Sequence, residues 1–267
     1  GVSGVAPRAK FAPIRLIGSG QTDLTEAKAL TYDFQDIQIF NNSWGPPDDR
    51  DYHTHGPLVG AALEEGIEEG RGGLGSIYVW AAGNGGDTSR ENNGVPDRSD
   101  YDQYASSRYT IAVGATDQRG FKADFSEAGS SVLVAAGGDA IATTDLQGRN
   151  GYADGSDELC GMALNPEYTQ CFDGTSAATP QVAGAVALML DANPNLTWRD
   201  VQHILVETAR PSHYEPANVA DPTKHDAEWT TNLAGHDINE KFGFGFVDAK
   251  AAVDAARTWV TVPDEVE

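Results

Sequence analysis

A chain of 267 residues is long enough to bury one large α/β core. Its 40 Asp and Glu against 18 Lys and Arg leave a net charge of −22, a balance that repels phosphates, argues against nucleic-acid binding and favours cationic ligands. No apolar run is long enough to cross a bilayer, so no membrane segment is expected; no charged start leads into an apolar signal core, which leaves export open.

Residues 5–17 (VAPRAKFAPIRLI) carry a strand pattern, and Thr22 to Tyr32 predicts a helix entered through Thr22 or Asp23. Ile37 to Trp44 is a second strand, running out into an acidic loop through Asp51. Pro57 starts an amphipathic helix to Gly70, with Val59, Ala62, Leu63 and Ile67 inward. Ile77 to Ala82 is nearly all apolar, as in a buried parallel strand, and ends in Gly83-Asn84-Gly85-Gly86. Thr110 to Thr116 and Ser131 to Ala136 are further strands, whereas Gln147 to Cys171 is polar and irregular. Thr197-Trp198-Arg199-Asp200 has the form of a capping box opening a helix to about Ala209. A polar connection follows from Pro211 to Lys241, and a last helix capped by Asp248 runs to about Trp259. Strands alternating with helices predict a mostly parallel central sheet covered on both faces, with no visible domain break.

The stretch Phe172-Asp173-Gly174-Thr175-Ser176-Ala177-Ala178-Thr179-Pro180-Gln181-Val182-Ala183-Gly184 leads into an apolar segment of helical spacing, Val182 to Leu190. Ser176 is thereby expected in the first turn of a buried helix, where unpaired N–H groups and the positive dipole end favour negative charge. Pro180 is expected to be tolerated there for lack of a first-turn partner. A serine so placed is either a nucleophile or an N-cap. Asn84, at a strand end, falls where reactive groups gather in such sheets, or is a turn residue. Cys160 and Cys171 are the only cysteines; a disulfide between them would close a loop of about a dozen residues and stabilise by roughly 3 kcal/mol, though two reduced thiols are also compatible with the sequence.

Gly-Thr-Ser-Ala-x-x-Pro-x-Val-Ala-Gly resembles the nucleophile segment of the subtilisin-like serine peptidases. With Asn42-Ser43-Trp44-Gly45-Pro46, Gly72 to Ser76, Ala82 to Gly86, Phe125-Ser126-Glu127, Asn193 to Gln202 and Phe242 to Gly245, the chain is similar to the kexin/furin-like branch from about Gly4 to Trp259. The resemblance implies the three-layer subtilisin-like fold and one partial catalytic domain over 1–267. It implies a serine endopeptidase in which Ser176 attacks the peptide carbonyl, while the Asn84 side-chain amide and the Ser176 N–H stabilise the oxyanion. Ser43, Trp44 and Gly45, with Ala82 and Gly83, would line the substrate backbone. Asp48 and Asp102 would form a buried pair selecting Arg or Lys at P1. Asp48, Asp97 and Glu127 match calcium ligands. Asp23 and Glu26 match acids that reach more distant basic substrate residues, or are helix-start carboxylates. Around His53-Thr54-His55 the loop is one residue longer than in furin-like members, and a histidine replaces an acid near S2.

In that branch the triad Asp and His precede a segment resembling Val2 to Ala6, and a β-sandwich domain follows the position of Trp259; neither is expected in 1–267. Nothing in the sequence supports His53 or His55 as the base, and His203, His213, His225 and His236 lie on a helix or in the late loop. The chain alone is therefore expected to be a monomer of little activity and limited stability, with exposed sheet edges. The other reading is an inactive relative that keeps the cleft as a peptide-binding surface. By resemblance and cysteine content the protein is expected to be secreted or in the cell envelope.

Overall fold

In the computed structural model, which describes residues 2–18, 20–87, 94–148, 150–153, 165–211 and 229–263, four parallel strands lie in sequence order. They are β1 (Ile39–Asn42), β2 (Ile77–Ala81), β3 (Thr110–Thr116) and β4 (Val132–Gly137). β2 and β3 are buried along their whole length. Alternation along β2 sorts the core: Ile77 and Val79 join one hydrophobic cluster, Tyr78 and Trp80 the other.

The first cluster packs the sheet against α3 (Thr175–Ala192), α4 (Trp198–Thr208) and α5 (Ala249–Ala256) through residues such as Val182, Val186, Met189, Val201 and Ile204. The second packs it against α1 (Asp23–Leu30) and α2 (Pro57–Gly73) through Leu30, Val59 and Leu63. The result is the expected three-layer α/β arrangement. Each fully buried Leu, Ile or Val stabilises it by roughly 1.5–3 kcal/mol.

Helix starts follow the sequence signals. Thr22 caps α1, and Thr197 with Asp200 forms the expected capping box on α4; Asp248 caps α5. The N-cap of α2 is Gly56, which has no side chain to offer. The carboxylate of Asp23 does this work instead, accepting from the N–H groups of Leu58 and Val59 at 3.1 and 2.9 Å.

Three expectations need correction. Residues 5–17 form no strand, because no described strand pairs with them; Phe11 and Ile17 stay 87% and 59% exposed. A cavity of about 1530 Å³ separates this segment from β1 and α3, lined by Phe11, Ile14, Ile37, Ile39 and Leu188 among others. β1 is consequently an edge of the sheet, as expected. Second, the polar region before Ser176 contains part of an antiparallel hairpin, β5 (Ile141–Thr144) with β6 (Tyr168–Phe172). Thr143 and Thr144 pair with Thr169 and Tyr168 across it, β-favouring residues on a background too polar to read as core. Third, Pro180 is the sixth residue of α3, beyond the first turn. Two further short strands, β7 (Thr230–Thr231) and β8 (Asp237–Ile238), pair antiparallel in the late connection.

Candidate active site

The tips of β1 and β2 and the start of α3 meet at one place. Asn42 pairs with Trp80, so the segments leaving both strands, Ser43-Trp44-Gly45 and Ala82-Gly83-Asn84, emerge side by side. Gly174 is the N-cap of α3, with a φ of 112° that favours glycine, and a Cβ there would lie 3.3 Å from Asn84 Oδ1 and 3.7 Å from Ser176 Cβ. Ser176 is the second residue of the helix, so its N–H has no acceptor within α3.

The carboxamide of Asn84 is held by one end. Its Oδ1 accepts from the Thr175 N–H at 2.8 Å and from Thr175 Oγ1 at 3.0 Å. With the oxygen so committed, the remaining polar group of that side chain is the Nδ2 donor. Ser176 Oγ donates to the Ser43 carbonyl at 3.1 Å, and Ser43 Oγ donates to the Ser176 carbonyl at 2.9 Å. Trp44 is braced edge-on against Trp80 and Tyr104, with ring centroids 4.8 and 5.3 Å away.

Ser176 and Asn84 line a cavity of about 220 Å³ together with Asp48, Asp102, Asp97 and Glu127. Its walls include Trp44, Gly45, Ala82 and Gly83, and a Cβ on Gly45 would lie 3.3 Å from Asp102 Oδ2. Asp102 is buried and accepts from the Tyr104 N–H at 2.7 Å, yet burial pushes its carboxyl up to about 6. Asp48 shares the cavity but is exposed, so the two acids are not the jointly buried pair expected.

Three acids crowd around Gly85, whose Cβ would lie 2.6 Å from Asp97 Cβ, 2.9 Å from Asp48 Cβ and 3.1 Å from Glu127 Oε1. Asp97 accepts from the N–H groups of Arg50 and Arg98, at 2.8 and 2.7 Å, and Glu127 from Gly85 at 3.0 Å. Burial, then the neighbouring Asp97 and Asp48, push the Glu127 carboxyl up to about 9. Among the described residues no three acid, histidine or cysteine side chains have their donor atoms gathered as a preformed metal site. What the cluster offers is carboxylate oxygens as its only donors, crowded closely enough to raise the Glu127 carboxyl.

Residues 1–245 match the sequence profile of the subtilase family. The chain belongs to the subtilase family. Its curated relatives include proprotein convertase subtilisin/kexin type 5 of Rattus norvegicus, 39% identical over 98% of this chain and 13% of that protein. Proprotein convertase subtilisin/kexin type 6 of the same organism is 40% identical over 99% of this chain and 25% of its own length. Furin-1 of Xenopus laevis is 39% identical over 97% and 30% respectively. Among solved structures, a serine protease of Aeromonas sobria superposes with a TM-score of 0.80 at 25% identity, covering 98% of this chain and 51% of that one. This subtilase chain thus spans between about an eighth and about a third of these curated relatives, and about half of that structure.

Other residues singled out in this subtilase sequence fall differently. Glu26 is buried and its Oε2 accepts from Tyr104 Oη at 2.7 Å, so its carboxylate is engaged inside the protein rather than offered to a substrate. Asp23 is the cap of α2 described above. His53 lines the cavity wall; its Nε2 lies 2.8 Å from Asp49 Oδ1, a contact that holds its imidazole more basic than usual. His55 packs edge-on against Tyr104. Cys171 is disulfide-bonded, and Cys160 lies outside the described residues, as do His213 and His225.

The contacts of Thr175 with Asn84 and of the Ser43 hydroxyl with the Ser176 carbonyl were not anticipated from sequence. Pro180, four residues beyond Ser176, was the available signal, since a proline leaves the carbonyl four residues earlier without its helical donor.

Proposed function

We propose that this chain carries the nucleophile, the oxyanion donors and the P1 pocket of a serine endopeptidase that cleaves after basic residues. One observation carries the reading: Ser176 and Asn84 line the same small cavity as Asp48 and Asp102. Ser176 Oγ attacks the peptide carbonyl, and its proton passes to a base supplied from outside residues 1–267. The Ser176 N–H and Asn84 Nδ2 then donate to the oxygen as it becomes negative. Ser43 to Gly45, with Ala82 and Gly83, align the substrate backbone. A positively charged P1 side chain enters the cavity toward Asp102 and Asp48, where a charge-assisted hydrogen bond in a partly desolvated site favours Arg or Lys.

Asp102→Asn tests the pocket. In the full-length protein, kcat/KM for a peptidyl-arginine substrate is expected to fall about 10²-fold, the scale of losing one partner of a buried charge pair, with far less change for an apolar P1. Because the Asp102 carboxyl titrates near 6, the preference for arginine over an uncharged P1 should rise as pH increases through 6 and fade below it. The variant should lose that inflection. Equal losses on both substrates would refute the pocket assignment. A protein that binds arginine peptides at this cleft but never cleaves them would instead be the peptide-binding relative.

Asp48, Asp97 and Glu127 would hold a calcium ion. The fit rests on hard oxygen donors and on repulsion that a cation would relieve. When bound, the ion would neutralise the cluster and pin the Gly83–Gly85 turn through the existing Glu127 and Asp48 contacts to Gly85 and Asn84. At calcium one hundred times above its Kd the protein should gain about 2.7 kcal/mol, and chelation should lower Tm by about 5–10 °C. An unchanged Tm would remove the ion from this account. The disulfide at Cys171 supports a secreted or cell-envelope location.

A further inference from the structure

We propose that Ser43 is a positioning residue for Ser176, its hydroxyl supplying the hydrogen bond that Pro180 denies to the helix. In an α-helix the carbonyl of residue i accepts from the N–H of residue i+4. For Ser176 that residue is Pro180, which has no N–H, and both lie within α3. A carbonyl taken out of water without a donor is costly, so the chain around it shifts to find one. The donor here comes from 133 residues away, at the end of β1: Ser43 Oγ to Ser176 O at 2.9 Å.

The neighbouring carbonyls show the contrast. Thr175 O accepts from Thr179 Oγ1 at 2.7 Å, and Ala177 O from Gln181 Nε2 at 3.0 Å, both donors lying on α3 itself. Of these three carbonyls, only that of Ser176 accepts from a side chain that lies on another element. The Ser43 hydroxyl is itself oriented, because Asn41 Nδ2 donates to Ser43 Oγ at 3.0 Å and occupies its acceptor side. Its proton is thereby turned toward Ser176. Ser176 Oγ in return donates to the Ser43 carbonyl at 3.1 Å. The two serines form a reciprocal clamp that fixes the backbone bearing the nucleophile relative to the strand end along which a substrate would lie.

This inference rests on the peptidase reading for its consequence, but its geometry does not, and the test separates the two. In the full-length protein, Ser43→Ala keeps the main chain that would contact substrate and removes only the hydroxyl. It is expected to lower kcat about tenfold with KM nearly unchanged, since small misplacements of a reacting atom act on the chemical step. Ser43→Thr, which retains a hydroxyl, should recover most of the rate. The decisive background is Pro180→Ala, which restores an N–H at helical position; there Ser43→Ala should cost less than about twofold. Equal losses in both backgrounds would overturn the proposal.

The parent, Ser43→Ala, Pro180→Ala and the double variant, labelled at the Ser176 carbonyl carbon, give a readout independent of cleavage. Its chemical shift should move in Ser43→Ala and return toward the parent value when Pro180→Ala is added. If no variant cleaves but the shift behaves so, the peptidase reading fails and the clamp stands. If cleavage is normal and the shift is indifferent to Ser43, the clamp fails alone.

Discussion

Ser176→Ala in the full-length protein is expected to abolish cleavage after arginine, by about 10⁶-fold in kcat, the scale found for the corresponding loss in a subtilisin. The size follows from what the hydroxyl would do. With Ser176 Oγ gone no acyl-enzyme can form, and the groups that remain, Asn84 and the helix N–H, can only stabilise attack by water. Ser176 is half-exposed, and its side chain has one partner, the Ser43 carbonyl, so alanine leaves no buried polar group stranded except that carbonyl edge. The variant should therefore fold and bind peptides normally. That separates loss of chemistry from loss of structure, and retention of cleavage above about a hundredth of the parent rate would refute the nucleophile.

Asn84→Asp is expected to lower kcat by about 10²–10³-fold while KM changes little; this range, equivalent to about 2.7–4 kcal/mol, was itself obtained by removing the oxyanion-hole asparagine of a subtilisin. Aspartate is the informative replacement because Asn84 would have two jobs. Its Oδ1 holds the Thr175 N–H and hydroxyl at the start of α3, and aspartate preserves an acceptor there. Only the Nδ2 donor is lost, and the added negative charge would oppose the proposed oxyanion. Alanine would remove the support as well, confounding catalysis with a shifted helix start. Kinetics on a peptidyl-arginine substrate would distinguish the readings: a turn residue predicts little change in kcat for Asn84→Asp.

How much of this could be read from the chain depends on how local each cause is. Buried parallel strands were legible because Ile77–Ala81 and Thr110–Thr116 are apolar on both faces, and the α4 start because Thr197 and Asp200 sit three residues apart. Ser176 and Asn84 were legible as candidates since each adjoins the end of a recognisable element. The fate of Glu26 was not: its partner Tyr104 is 78 residues away, and a first-turn acid looks the same whether it faces solvent or a buried phenol. Asp23 misled similarly, accepting from the N–H of Leu58, 35 residues later, in the first turn of α2. The strand pattern of residues 5–17 is real as a propensity, but a strand needs a neighbour to satisfy its backbone, and sequence pattern alone does not say whether one is at hand. Asp48 and Asp102 were correctly brought to one cavity, while their unequal burial depends on how the 48–53 loop lies over it.

The Ser176 hydroxyl and the Asn84 amide are expected to converge on one oxygen. A crystal structure of the full-length protein treated with a peptidyl-arginine phosphonate tests it most directly. Phosphorus should be bonded to Ser176 Oγ, with the phosphonyl oxygen about 2.7–3.1 Å from both Asn84 Nδ2 and the Ser176 nitrogen. An adduct whose oxygen points to solvent, with Asn84 beyond hydrogen-bonding reach, would contradict it.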